Sequence, residues 1–151
     1  MSRKRQLPPE TRIPIATLDH EGAGHGTADG FSVRVFGALP GESAGVRILR
    51  KRRSRLEALA RTISGASPER ITPDCPMAGR CGGCALQHQD PTAQRRRKRK
   101  RLASLFTEAG VPEPDRWLDD ITGPTRGYRR KARLGVRRVT AKGGVLVGFR
   151  E

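Results

Sequence analysis

Phe31-Ser32-Val33-Arg34-Val35-Phe36-Gly37-Ala38-Leu39-Pro40-Gly41-Glu42 decides the fold. Its first half alternates apolar and polar residues, the mark of a half-buried strand. Its second half, with Gly37, Pro40 and Gly41, is a turn. Downstream, Gly45–Arg50 reads as another strand. Arg55–Ile63 reads as a last one, although Leu56-Glu57-Ala58-Leu59-Ala60 suits a helix equally well on propensity. Upstream, Arg12–Leu18 opens a strand that Pro14 places at an edge or a bulge. Asp19–Gly26 reads as a glycine-rich turn. Short strands punctuated by glycine turns predict a small five-stranded barrel of the oligonucleotide-binding kind over residues 12–66, in a chain that is mainly β. Residues 1–11 form a basic tail.

Gly22-x-Gly24-x-Gly26 is not a dinucleotide loop, since the third glycine stands at the wrong spacing and no helix pattern follows. Those glycines are expected to supply positive φ for turns. His20 and His25 have no ligand-type neighbours at metal-binding spacing and read as surface turn residues.

The 151 residues carry 31 Lys plus Arg against 15 Asp plus Glu, a formal net charge of +16. Such an excess favours polyanions, with nucleic acid ahead of an anionic membrane surface. No apolar run is long enough to span a bilayer, and the basic start Ser2-Arg3-Lys4-Arg5 leads into no apolar segment, so it is no secretory signal. Apolar residues at 34% and aromatics at 4% suit two small cores better than one large one.

All three cysteines lie in Cys75-Pro76-Met77-Ala78-Gly79-Arg80-Cys81-Gly82-Gly83-Cys84. Three thiols so close, threaded with Gly and Pro, suit a reduced intracellular site that binds metal or does redox chemistry. An iron–sulfur cluster, a Cys3His zinc knot completed by His88, and a Cys81/Cys84 redox pair all use such residues. The redox pair is disfavoured because no βαβ unit precedes it; spacing alone does not separate iron from zinc.

Asp90-Pro91 is a helix start, with Asp as N-cap and Pro at the first position. The helix continues to Ala109, with Leu102, Leu105, Phe106 and Ala109 on one apolar face and Gly110 ending it. Its first half carries seven consecutive cations, Arg95, Arg96, Arg97, Lys98, Arg99, Lys100 and Arg101, which are expected on an RNA backbone. Arg50, Lys51, Arg52 and Arg53 form a second candidate rim. Tyr128–Val139 reads as a strand with Arg129, Arg130, Lys131 and Arg133 as further cations; Ala141–Gly144 is a hairpin turn and Val145–Phe149 the return. Trp117 is expected to pack and not to stack on a base.

Two resemblances sharpen this. His20-Glu21-Gly22-x-Gly24 followed by Gly37-Ala38-Leu39-Pro40-Gly41-Glu42 resembles a TRAM domain, an RNA-binding barrel of RNA-modifying enzymes; His25 departs from the usual apolar residue there. Pro68-Glu69-Arg70, Cys75-Pro76, Cys81-Gly82-Gly83-Cys84, Gln87-His88, Gly127–Leu134 and Val147–Glu151 resemble the bacterial large-subunit rRNA uracil-C5 methyltransferases, over nearly the whole chain.

The resemblance implies that Cys75, Cys81 and Cys84 are three ligands of a [4Fe-4S] cluster, with His88 outside the ligand set. The family's fourth cysteine has no counterpart here, so the chain alone is expected to hold a cluster poorly. It also implies an S-adenosylmethionine-dependent parent acting on ribosomal RNA in the cytoplasm, with no membrane; no protein partner is implied. The chain would then be its N-terminal part: barrel (12–66), iron–sulfur loop (67–89), then basic helix and first hairpin of a central domain (90–151). The nucleophilic cysteine, the proton-abstracting base and the cofactor pocket that C5 methylation needs are expected elsewhere in that parent. The other reading is a stand-alone basic RNA-binding module with a zinc knot.

Overall fold

The computed structural model describes residues 11–149; the tail expected over residues 1–11 lies almost wholly outside them. The chain divides into two compact units. Among the described residues, 11–79 and 84–89 form the first and 80–83 and 90–149 the second.

The first unit is one mixed sheet. Its strands are β1 (Arg12–Pro14), β2 (Thr17–Leu18), β3 (Gly24–Ala28), β4 (Phe31–Phe36), β5 (Ser43–Arg52) and β6 (Arg55–Ser64). Their order is β1-β5-β6-β4-β3-β2. The two outermost strands are consecutive in the chain, separated only by Ile15 and Ala16. Around that break the backbone changes partners: Ile15 N donates to Glu42 O (2.8 Å), while Ala16 N donates to His25 O (2.8 Å). One bent segment thus serves both edges and gives the sheet a barrel-like closure. The bend falls directly after Pro14, which has no N–H for a ladder. The sheet has six strands where five are expected. β1 and β2 share one segment, and β3 runs through part of what reads as the Asp19–Gly26 turn.

Two glycines explain that miss. Gly24 and Gly26 lack positive φ and sit in β3. A Cβ on Gly24 would lie 2.7 Å from Ile15 Cγ2, and one on Gly26 would lie 2.5 Å from Ile13 Cγ2. They are there for close approach of the bent segment, not for a turn. Only Gly22, at φ +86°, has the turn role. His25 accordingly lies in a strand.

Alternation in β4 and β6 works as the sequence suggests. Val33 and Val35 point inward with Leu56 and Ala58, and Ile13, Ile15, Ala38 and Ala44 complete a small core. β4 and β6 pair in parallel, β5 and β6 antiparallel with two register shifts. The helical alternative for Leu56–Ala60 loses because Leu56 and Ala58 are buried and Glu57 between them is not, the period of a strand.

The second unit contains α1 (Pro91–Glu108) and a hairpin of β7 (Gly135–Val139) and β8 (Gly144–Gly148). Asp90 caps α1, accepting from Thr92 N and Ala93 N. At the other end Gly110 is left-handed (φ +65°). Its N–H reaches Thr107 O, and Val111 N reaches Phe106 O, a glycine-terminated Schellman end. The expected apolar face is weaker than its periodicity implies, because Leu102 and Leu105 are exposed. Strand structure also begins late. Residues 128–134 are not in a strand, since the β8 ladder ends with Gly148 opposite Gly135. Ala132, Leu134 and Val136 are all exposed, so their alternation marks no buried face.

Candidate functional site

In the first unit the candidate cations gather at the tip of the β5–β6 hairpin. Arg50, Lys51 and Arg52 end β5, Arg53 forms the turn, and Arg52 stands opposite Arg55 across the ladder. All are exposed. Lys51 Nζ lies 4.5 Å from the centre of the Phe31 ring, which holds one cation against the sheet. Arg53 has φ +45°, a left-handed conformation that costs a non-glycine residue about 1 kcal/mol.

A second polar cluster, missed at the sequence level, stands at the start of β3. Asp19 Oδ1 accepts Glu21 N (2.9 Å) and Ala23 N (3.0 Å). Its Oδ2 takes Arg34 Nε (2.6 Å) and His25 Nε2 (3.2 Å). Burial would raise the Asp19 pKa, but the Arg34 and backbone hydrogen bonds outweigh it and hold the carboxyl well below its ordinary range. Arg34 also bonds Glu21 and lies 5.0 Å from the Phe36 ring centre. Its ion pairs turn what alternation shows only as a polar strand position into a fixed guanidinium.

The cysteine segment leaves the barrel through a stapled base. Arg70 bridges Gln89, Ile71 N donates to His88 O (3.0 Å), and Gln89 Nε2 reaches Glu69 Oε2 (2.9 Å). Arg70 is in turn fixed to the buried Glu42. Its Nε and Nη2 donate to the carboxylate at 2.5 and 2.6 Å, and Nη2 also donates to Gly37 O (2.9 Å). Leu39 N and Ser67 N complete the carboxylate's partners. Burial pushes the Glu42 pKa up, but these bonds prevail and lower it.

Between the two ends of that staple lie the thiols. Cys75 and Cys84 are exposed, Cys81 half-buried, and none is in a disulfide. Gly83 N donates to Cys81 Sγ at 3.4 Å, the kind of contact that tunes a thiolate ligand. The donor chemistry therefore suits a thiolate-bound metal. Among the described residues, however, no three His, Cys, Asp or Glu side chains are drawn together as a ligand set. His88 is not turned to such a set: it is buried, and its Nε2 has no hydrogen-bond partner among the described residues. Burial, with the Arg70 charge, lowers its pKa to about 4.

The second unit divides its cations. Arg95 bonds Thr92 Oγ1, Arg101 pairs with Glu108, and Arg99 engages Leu118 O and Asp120. Lys98 and Lys100 are exposed. Trp117 packs, as expected, edge-on to Phe106 with ring centres 6.0 Å apart. Arg129, Arg130, Lys131 and Arg133 lie exposed on the segment before β7, with Arg129 6.0 Å from the Tyr128 ring centre. No helix among the described residues is long and apolar enough to cross a membrane.

No protein-family model matches the chain. Curated relatives do. It is 46% identical over 153 aligned positions to the 23S rRNA (uracil(1939)-C(5))-methyltransferase RlmD of Alcanivorax borkumensis, covering 100% of this chain and 34% of that protein. The protein of the same name from Alkalilimnicola ehrlichii is 47% identical over 99% of this chain and 34% of its own length. That from Hahella chejuensis is 42% identical over 100% and 34%. The chain thus spans about a third of the length of these relatives. Over its whole length it is similar to that third of the bacterial 23S rRNA (uracil-C5)-methyltransferases of the RlmD type.

Proposed function

We propose that this chain is the RNA-binding, iron–sulfur portion of an enzyme that methylates C5 of a uridine in 23S ribosomal RNA. The observation that carries the reading is the full-length similarity to proteins of that name. Charge supports it: +16 over 151 residues, with exposed cations at the β5–β6 tip, on α1 and before β7. A TRAM-like barrel is supported by the closure of the sheet through residues 12–18. In such barrels, strands 2–3 and the loops at that end take oligonucleotides; here these correspond to β3, β4 and the Arg53–Ser54 turn. Ribosomal RNA is thus the partner, the cytoplasm the place of action, and S-adenosylmethionine the methyl source of the parent enzyme.

Cys75, Cys81 and Cys84 would hold the [4Fe-4S] cluster, which would bridge the cysteine segment to itself and fix its path. Anaerobic reconstitution followed by iron and sulfide analysis tests the assignment. Iron uptake that falls in each of Cys75→Ser, Cys81→Ser and Cys84→Ser fits it. Zinc retained through purification, with no iron uptake, would overturn it.

A further inference from the structure

Arg99 sits in the middle of the cationic run, yet it faces the protein. Its Nη1 donates to Leu118 O (3.0 Å) and to Asp120 Oδ1 (2.9 Å), and its guanidinium carbon lies 5.3 Å from the Trp117 ring centre. The same ring meets Phe106 on α1 and donates from Nε1 to Glu113 (3.3 Å). Phe106 stands two turns from Arg99 on the same helical face. Together Arg99 and Phe106 hold Glu113–Asp120, a stretch carrying Glu113, Asp115, Asp119 and Asp120, beside a helix that must stay attractive to a polyanion.

We infer that Arg99 is a positioning residue that binds this acidic stretch, while Lys98 and Lys100 on either side of it make the phosphate contacts. The inference rests on the RNA-binding reading and assigns roles within it. One exposed ion pair would do little. Here the guanidinium serves a carbonyl, a carboxylate and an aromatic face at once, a geometry that its planar fork allows and an ammonium does not. Lys98 and Lys100 are exposed and project from other faces of the helix, about 100° to either side of Arg99. Charge at position 99 is thus spent inside the unit and carries no counterion that RNA would release.

Trp117 is the single tryptophan, so its emission reports on this contact. The test uses the 151-residue chain and a labelled 23S rRNA transcript, with binding measured across a salt series. Lys98→Ala and Lys100→Ala should each flatten the log–log salt slope by about 0.7–0.9. The charge-neutral double variant Arg99→Gln/Asp120→Asn should leave the slope unchanged but shift Trp117 emission, with or without RNA. Saturating RNA should leave wild-type Trp117 emission in place. Flattening of the slope by the double variant, or quenching of Trp117 by RNA, would overturn the assignment. If the wild-type chain shows no salt-dependent binding, the RNA reading fails as well; an Arg99→Gln emission unchanged from wild type sinks the positioning role alone.

Discussion

Glu42 and Arg70 meet as a two-pronged ion pair, Nε and Nη2 of one against both oxygens of the other. The carboxylate is fully buried, at the end of the turn that follows β4. Arg70 stands at the base of the cysteine segment. The pair therefore locks the exit of that segment to the barrel's core. Replacing one partner leaves a buried charge unmatched, at a cost of about 3 kcal/mol. Glu42→Gln and Arg70→Ala should each lower the unfolding free energy measured by denaturant titration by that order. The double variant should fall well short of the sum of the two. Additive losses would show that the two residues act independently.

Acid should act on this unit in two stages. His88 has its folded pKa lowered to about 4, below its ordinary 6.5, so the unfolded chain binds its proton first. Stability is therefore lost as pH falls from about 6.5 towards 4. Glu42 and Asp19 are shifted in the same direction: as carboxyls held below their ordinary values, they stabilise above about pH 4 and that contribution goes as pH falls further. Denaturant titrations of His88→Gln should lose the first stage and keep the second. A wild-type stability flat from pH 6.5 to 4.5 would contradict the buried, neutral imidazole.

The closure of the sheet predicts a contrast between glycines. Gly26→Ala forces a methyl into Ile13 and the Pro14 carbonyl and should cost about 1–3 kcal/mol, as overpacking does. Gly123→Ala meets nothing within 4 Å and should stay within about 0.5 kcal/mol of wild type. Equal effects would mean that the bent segment does not cross β3 this closely.

Arg53 offers a separation of folding from binding. Its φ of +45° is one that glycine adopts without strain. Arg53→Gly should stabilise the chain by about 1 kcal/mol and at the same time weaken RNA binding at low salt. A variant that weakens both would place Arg53 in the fold and not at the interface.

Much of this was legible in the residues. Alternation over Phe31–Phe36 located the central strand, and Asp90-Pro91 and Gly110 located both ends of α1. What failed did so for physical reasons. Gly24 and Gly26 read as turn residues because a strand glycine required by close approach looks the same in sequence as one required by positive φ. Ala132, Leu134 and Val136 alternate without a strand through residues 128–134, because alternation signals a face and not a hydrogen-bonded partner. Glu42 and Arg70 were visible only as parts of two separate resemblances; their pairing across 28 residues left no local signal. The commitment of Arg99 was hidden for the opposite reason, since seven cations in a row look alike until their partners are known.

The claim that this chain is an RNA-binding portion of an rRNA methyltransferase is tested most directly by titrating it against a 23S rRNA transcript over a range of salt concentrations. The logarithm of the binding constant should fall linearly with log salt, with a slope of about −4 or steeper, as several phosphate contacts require. No binding at low salt, or a slope near zero, would contradict it.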